Sequence, residues 1–141
     1  MIVVLDASAA VEVVLKRKSA SKIASYLSKA DWVIAPMLFI SEVTNVFWKY
    51  FKISELPIEI CERCLEQAIA LPDEYFSEKE LYREAFMLSC TADHPVYNGI
   101  LLTLDNKLFL SGLYKSLGSW GTSILIFVLS ATSLIKPTIF E

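Results

Sequence analysis

Short uninterrupted apolar runs alternate along this chain with stretches in which apolar residues recur every three or four positions. Ile2–Leu5 is the first run, and its β-branched residues are typical of a strand buried on both faces of a parallel sheet. Asp31–Ala35 is a second such run and Ile100–Thr103 a third. Strands separated by helices predict an α/β fold with a mainly parallel sheet and helices on both faces.

Helical periodicity fills the intervals between these runs. Ser77 and Glu80 have the spacing of a capping box, in which each side chain satisfies a backbone amide at the start of a helix. Leu71–Glu74 is polar and contains a proline, which predicts a loop. The predicted helices begin after Asp6, at Ala20, at Pro36, at Pro57 and at Ser77.

Length and composition predict one globular domain over residues 1–141. The chain has 141 residues, of which 55% are hydrophobic, and a net charge of -3, which argues against a surface that coats nucleic acid. Lys16–Lys18 and Lys22 form a local basic cluster that we interpret as a solvated helix end, with phosphate steering as the alternative. The N-terminus lacks the basic start and cleavage site of a signal peptide, so we expect a cytoplasmic protein.

Acidic side chains follow two of the predicted strands. Asp6 ends the first strand, where open α/β sheets bind ligands, although an Asp there also caps the next helix well. Asp105 follows the third strand, and Glu42 lies among apolar residues of a helix, facing either solvent or a partner. Parallel strands end along one edge, so Asp6, Glu42 and Asp105 are expected to meet there.

Carboxylates that converge repel each other unless a divalent cation neutralises them. Oxygen ligands favour Mg²⁺ or Mn²⁺, and such a site activates water and stabilises the charge that develops on a phosphodiester. Cys61 and Cys64 have a CxxC spacing that Cys90 and His94 could complete as a zinc site. Buried free cysteines are the expected alternative, since three cysteines make no disulfide framework.

Four segments occur in this order along the chain: VLDASA at 4–9, SEVTN at 41–45, DHPVY at 93–97 and TLDNKL at 103–108. Together they resemble a PIN domain, and more closely a VapC-type toxin of a bacterial or archaeal toxin–antitoxin pair. The resemblance covers about Met1–Leu108 and implies a Rossmann-like three-layer α/β/α sandwich. It also implies a Mg²⁺- or Mn²⁺-dependent endoribonuclease, a cognate antitoxin that covers the acidic groove, an RNA substrate and a homodimer.

The resemblance carries over to individual residues. Asp6, Glu42 and Asp105 match the family's metal carboxylates and would be both catalytic and metal-binding. Ser8 and Asn45 fall where supporting polar groups are common in the family, and Thr103 precedes the last Asp as it does in that family's motif.

The sequence departs from the family pattern in the connector after the DHPVY segment. Asn98 stands where the family has a further catalytic Asp, and the next apolar run begins at Ile100, so a whole helix of the family pattern is missing. Asn98 could still supply a carbonyl oxygen, and Asp93 is a candidate substitute, although a helix cap explains Asp93 equally well. The loss of a carboxylate is expected to weaken metal binding and water activation together.

Residues 109–141 form an atypical tail with no charged residue between Lys115 and Lys136. Ile124–Leu129 is expected to be a last strand, although the uncharged segment is near membrane-spanning length. We expect no membrane insertion, because glycines and hydroxyl residues interrupt the segment. The departures motivate an alternative function: an inactive PIN-like module that binds an antitoxin or itself. A third interpretation is a structural α/β protein whose three carboxylates lie apart.

Overall fold

The computed structural model describes residues 1–92, 100, 103 and 127–129, and it has an α/β fold. Helices and strands alternate in the described chain, and every strand pair in it is parallel. The elements in chain order are β1 Ile2–Leu5, α1 Ala7–Val14, α2 Ala20–Leu27, β2 Trp32–Pro36, α3 Leu38–Ile53, α4 Ile58–Ile69, β3 Glu74–Phe76, α5 Glu78–Ala92 and β4 Phe127–Leu129.

The sheet has the strand order β3-β2-β1-β4, with β1 between two parallel neighbours. Val3 is paired with Val33 of β2 on one side and with Phe127 of β4 on the other. All four β1 residues are at most 6% exposed, so both faces of this strand are covered. The prediction of a buried first strand in a mainly parallel sheet is therefore confirmed.

Helices cover the two faces of the sheet in separate layers. Val3 and Leu5 pack in one core with residues of α1, α2, α3 and α4. Ile2 and Val4 point to the opposite face, where they pack with Leu81 of α5. Right-handed crossovers explain this division, because β1, β2 and β3 are added in one direction and β4 in the other.

That reversal of direction places a topological switch point beside β1. The chain leaves β1 toward β2, whereas β4 is added on the other flank of β1. In open α/β sheets, the carboxyl ends of the strands at such a point border a crevice where ligands bind. Asp6 is the first residue after β1 and therefore lies at this switch point.

The helix predictions agree with the structure to within a few residues at each end. The second strand ends at Pro36 and α3 begins at Leu38, so the proline belongs to the strand and not to the helix. Ser77 precedes α5 as predicted, and its hydroxyl oxygen accepts a hydrogen bond of 3.3 Å from the backbone N–H of Lys79. Local capping chemistry was therefore a sound guide to where this helix starts.

The sequence interpretation was wrong at two places. Glu74 was expected in a loop, but it begins β3, which is anchored because Asp73 exchanges two hydrogen bonds of 2.7 Å with the backbone of Val33. Ile100 and Thr103 were expected in a strand, yet both are helical and buried. Three apolar residues followed by a threonine do not distinguish a buried strand from a buried helix, and both described positions are helical.

The described part of the C-terminal tail is the strand β4, Phe127–Leu129, which lies within the run predicted as a last strand. The rest of the atypical tail, residues 109–126 and 130–141, lies outside the described residues. Within the described ranges, none of the helices combines the length and apolar character that a membrane crossing requires.

Phe39 is expected to be a major contributor to stability, because it is fully buried and its ring lies 6.0 Å from that of Tyr75. Phe39→Ala should lower the free energy of unfolding by roughly 3–5 kcal/mol in urea titrations. Phe86→Ala is the matched control, since Phe86 is 56% exposed. Its effect should stay within about 0.5 kcal/mol. Equal losses for both variants would contradict the described core.

Candidate metal centre

Asp6 is held at the sheet edge by its role as the N-cap of α1. Its backbone is extended, and its carbonyl oxygen accepts from the N–H groups of Ala9 and Ala10 at 3.1 and 3.2 Å. Its Oδ2 accepts a 3.3 Å hydrogen bond from the Ser8 N–H and another from the Ser8 hydroxyl. The capping interpretation is therefore correct, and the cap also restrains the carboxylate at the carboxyl end of β1.

Glu42 is half-buried on α3, and its surroundings disfavour its charged form. It follows the first turn of a helix whose Phe39 and Val43 are fully buried. Burial raises the pKa of Glu42 above its usual value, and the negative charge of Asp6 raises it further. The charge of Asp6 therefore acts on Glu42 through space at this edge of the sheet.

This pair of carboxylates fits a hard divalent cation. Two nearby negative groups, one of them partly desolvated, are destabilised by mutual repulsion that a cation between them would remove. Their oxygen atoms are the donors that Mg²⁺ and Mn²⁺ prefer. The third predicted ligand, Asp105, lies outside the described residues. The same holds for the connector residues Asp93 and Asn98.

Within the described residues, no group of three or more His, Cys, Asp or Glu side chains has the arrangement of a metal site. The Asp6–Glu42 pair alone would leave most of the coordination sphere to water and to a phosphate oxygen. Mg²⁺ tolerates this arrangement well, since it keeps several waters and is commonly held by one or two carboxylates.

The three supporting residues predicted from the sequence have different environments. Ser8 contacts Asp6 directly through both its N–H and its hydroxyl. Asn45 is exposed one turn after Glu42 and lines a groove on α3. Thr103 is only 2% exposed, and its hydroxyl has no hydrogen-bond partner in the part of the chain that the structure describes.

Glu78 is a residue whose role the sequence interpretation missed. Its carboxylate accepts a hydrogen bond from the N–H of Leu38, the first residue of α3. The neighbouring Met37 N–H donates to the Phe76 carbonyl oxygen at 2.8 Å. These contacts join the start of α3 to the end of β3 and so fix the helix that carries Glu42. The predicted capping box places Glu78 at the start of α5. No pattern in the neighbouring sequence predicts that its carboxylate caps α3.

The cysteines contribute to packing within the described residues. Cys61 and Cys64 are buried on α4 in the core that it shares with α1 and α3. Burial raises the pKa of Cys61, and the neighbouring Cys64 raises it further, so the reactive thiolate is disfavoured. Cys90 is exposed on α5, and His94 lies outside the described residues.

The basic cluster follows the C-terminal end of α1, at the opposite end of that helix from Asp6. Arg17 donates a hydrogen bond to the Tyr50 hydroxyl and lies 3.5 Å from a Glu12 carboxylate oxygen. Lys16 and Lys18 are exposed. Positive charge is favourable at the C-terminal end of a helix, which supports the interpretation of a solvated helix end.

Comparison with known proteins adds no relationship to this geometry. No protein-family model matches the chain, and no curated protein matches it at a significant level.

The raised pKa of Glu42 predicts a pH-dependent stability change. A carboxyl whose folded pKa exceeds its unfolded pKa favours folding below the unfolded value, and that contribution is lost as the pH rises through the folded value. Glu42→Gln should therefore raise the melting temperature at pH 7 in EDTA and leave it nearly unchanged at pH 3. Calorimetric scans at the two pH values measure this difference.

Two variants control this experiment. Glu66→Gln removes a carboxylate from an exposed position on α4 and should show no such pH-dependent gain. Asp6→Asn preserves the helix cap and should lower the pKa of Glu42 only in part, because burial is the larger cause. An unchanged Glu42 pKa in carbon-detected NMR titrations of Asp6→Asn would show that the two groups lie apart.

Glu78→Ala is expected to destabilise the fold by about 1–2 kcal/mol, because it leaves the first amide of α3 without its carboxylate cap. Glu78→Gln keeps an acceptor oxygen and should recover a large part of that loss. Urea denaturation measures both changes. Glu74→Ala, at an exposed position of β3, is the control and should change the free energy of unfolding much less. A loss no larger than the control's would contradict the capping role.

Proposed function

We propose that this protein is a Mg²⁺- or Mn²⁺-dependent endoribonuclease of the PIN-domain type, resembling the VapC toxins. The observation that carries the proposal is that Asp6, at the carboxyl edge of a parallel sheet, acts electrostatically on Glu42 of α3 and helps to raise its pKa. The order of the VLDASA, SEVTN and TLDNKL segments supports the same assignment. The strand order, with its switch point beside β1, is compatible with a Rossmann-like PIN fold.

The residues of the crevice support metal-dependent chemistry. Asp6 and Glu42 would hold the cation, and Asp105 would be the third ligand if its motif has the meaning that the resemblance gives it. A bound divalent cation lowers the pKa of water and offsets the negative charge that develops on a phosphodiester. Without the cation, two carboxylates would repel an RNA phosphate. We therefore expect RNA cleavage to depend strictly on the metal.

The cap on Asp6 would give this carboxylate its orientation. Ser8 donates two hydrogen bonds to Oδ2, which restrains rotation of the side chain. Glu78 would act one step further away by fixing the start of α3, and with it the position of Glu42. Ligands held in this way need little reorganisation when the cation and substrate bind.

A specific observation also favours the alternative function, an inactive module that binds an antitoxin or a second copy of the chain. Tyr82, Phe86 and Met87 on α5 are 63%, 56% and 62% exposed. Large apolar side chains exposed on the outer part of a helix are typical of protein-binding surfaces. An active toxin that pairs with an antitoxin and dimerises would need such a surface as well, so activity decides between the two functions.

The decisive experiment is RNA cleavage with Mg²⁺ or Mn²⁺. We expect cleavage that EDTA abolishes and that Asp6→Asn or Glu42→Gln lowers by roughly a hundredfold or more, since each removes one charge from the cation site. Asp105→Asn should have a comparable effect. Turnover is measured on a labelled single-stranded RNA by gel electrophoresis.

Glu66→Gln, which changes an exposed carboxylate on α4, should retain full activity. Cleavage that resists both EDTA and the Asp6→Asn substitution would refute the proposal. Calorimetric Mn²⁺ binding that depends on Asp6 and Glu42, with no cleavage of any RNA, would instead favour the inactive binding module.

A further inference from the structure

The ends of α1 and α3 that lie away from Asp6 and Glu42 form a basic surface with exposed apolar side chains. We call this surface the basic tip and define it as residues 16–22 and 48–54. It contains six lysine or arginine residues and no acidic residue, whereas the rest of the chain contains seven basic and sixteen acidic residues. A strong local excess of positive charge therefore exists in a chain whose net charge is -3.

Arg17 joins the two segments of the basic tip. Its guanidinium group donates a hydrogen bond to the Tyr50 hydroxyl and lies 5.1 Å from the centre of the Tyr50 ring. Arg17 also lies 3.5 Å from a carboxylate oxygen of Glu12, so we assign the attraction of the tip for anions to its lysines. The exposed lysines that flank Arg17 and Tyr50 in the sequence are Lys16, Lys18, Lys49 and Lys52.

Two turns at this end of the molecule have a backbone conformation that favours glycine. Lys16, which follows the C-cap of α1, has a φ of 51°, and Glu55, which follows the C-cap of α3, has a φ of 53°. A side chain at such a position lowers stability, and departures of this kind concentrate at functional sites. Lys16 is exposed, so burial in the core does not recover its cost.

Large apolar side chains accompany the lysines in the last two turns of α3. Trp48, which lines the open groove on this helix, is 55% exposed, Phe51 is 40% exposed and Ile53 is 76% exposed. The N–H groups of Ser54 and Leu56 both donate to the Tyr50 carbonyl oxygen, at 3.1 and 3.3 Å, and so turn the chain back toward α4. The exposed apolar side chains therefore lie where α3 ends and the chain reverses.

We propose that the basic tip binds the surface of a lipid bilayer that contains anionic lipids. The lysine ammonium groups would meet the charged headgroups, and Trp48, Phe51 and Ile53 would enter the boundary between headgroups and acyl chains. Basic residues combined with exposed aromatic and aliphatic side chains are characteristic of surfaces that bind in this way. Such contact stays at headgroup depth and needs no helix that crosses the membrane.

The aliphatic part of the basic tip favours a bilayer over a nucleic acid. Ile53 is the most exposed of the large apolar side chains that the structure describes. An isoleucine offers no flat face on which a base could stack, whereas it gains free energy on leaving water for the acyl chains. An indole such as that of Trp48 is also typical of the membrane–water boundary, where its ring is apolar and its N–H remains near water.

Two acidic residues border the basic tip and limit its charge. Glu55 and Glu59 are exposed at the turn into α4, next to the end of α3. Their repulsion of anionic headgroups offsets part of the attraction of the lysines. We therefore expect binding to require both the lysines and the apolar side chains, since a single weak signal does not hold a protein at a membrane.

The basic tip and the Asp6–Glu42 pair lie at opposite ends of the same helices. Ile53 follows Glu42 by eleven residues, which places it about 16 Å further along the axis of α3. A chain bound through the tip would keep the carboxylates away from the lipid and open to solvent. Membrane binding is therefore independent of the proposed nuclease and would confine whatever activity the protein has to a membrane surface.

The test measures binding of the full chain to vesicles by co-sedimentation in EDTA. Vesicles with about one third phosphatidylserine in phosphatidylcholine should bind at least tenfold more tightly than pure phosphatidylcholine, and added salt should weaken the binding. Lys49→Gln should weaken binding to the anionic vesicles about fivefold. Lys79→Gln, at an exposed position of α5, is the matched control and should change nothing.

Lys16→Gly separates membrane binding from stability. The substitution removes a positive charge and should weaken vesicle binding about fivefold. It also places glycine where the backbone favours it, so the midpoint of urea denaturation should stay the same or rise. Loss of binding without loss of stability is the result that a purely structural role for Lys16 would not give.

The apolar side chains of the basic tip are tested in the same assay. Ile53→Ser should weaken vesicle binding roughly threefold or more. Met87→Ser, at a position of α5 that is 62% exposed, is the control and should leave binding unchanged. Tryptophan emission should shift to shorter wavelength when anionic vesicles are added, and Trp48→Phe should remove most of that shift.

Several results would overturn the inference. These are equal binding to neutral and anionic vesicles, binding that Lys49→Gln and Ile53→Ser leave unchanged, and an emission shift that persists in Trp48→Phe. If Lys49→Gln weakens binding to a labelled nucleic acid while vesicles do not bind, the tip is a nucleic-acid surface. If Ile53→Ser converts a dimer to a monomer in sedimentation experiments and vesicles do not bind, the tip is an interface between copies.

These outcomes are distinct from those of the nuclease test. Asp6→Asn, which should abolish metal-dependent cleavage, should bind anionic vesicles as the wild type does. Cleavage without vesicle binding would leave the proposed function standing and refute the role of the basic tip. Vesicle binding without cleavage would support the basic tip and refute the nuclease.

Discussion

Burial of β1 on both faces and along both edges is the constraint on which the described fold depends. Its four residues are at most 6% exposed, and they contribute to the cores on both sides of the sheet. A charged side chain within a strand that is covered on every side would be buried away from water, which is unfavourable. The first position at which the chain can carry a charge is therefore the residue after the strand, and that residue is Asp6. The same packing that stabilises the domain therefore also determines where its most prominent carboxylate lies.

The proximity of Asp6 and Glu42 is unfavourable for the fold and useful for the proposed chemistry. Folding keeps one carboxyl partly desolvated beside another, which raises the pKa of Glu42 and stabilises neither group. Departures from good folding energetics concentrate at functional sites, where the protein compensates for them elsewhere. Here the compensation includes the Ser8 contacts to Asp6 and the Glu78 cap on α3.

Much of the described fold could be predicted because local chemistry and tertiary packing agree there. Ile2–Leu5 is apolar and β-branched, and Ser77 caps the helix that follows it in sequence. The predictions failed where long-range contacts decided the outcome. Asp73 appears to local rules as a turn residue, but its hydrogen bonds to Val33, 40 residues away, create β3. Ile100–Thr103 is apolar enough for either a strand or a buried helix, and packing selected the helix at both described positions.

The sequence by itself determined the fold class, the position of Asp6 after a buried strand, and the identity of the candidate ligands. These features follow from residue type and short-range periodicity, and both can be read from a segment without knowing what it packs against. Only the tertiary structure decided that the charge of Asp6 acts on Glu42, that Glu78 caps α3, and that Trp48 lines an open groove. Each of these depends on the angle at which α3 packs against the sheet, and that angle is set by contacts between residues distant in sequence.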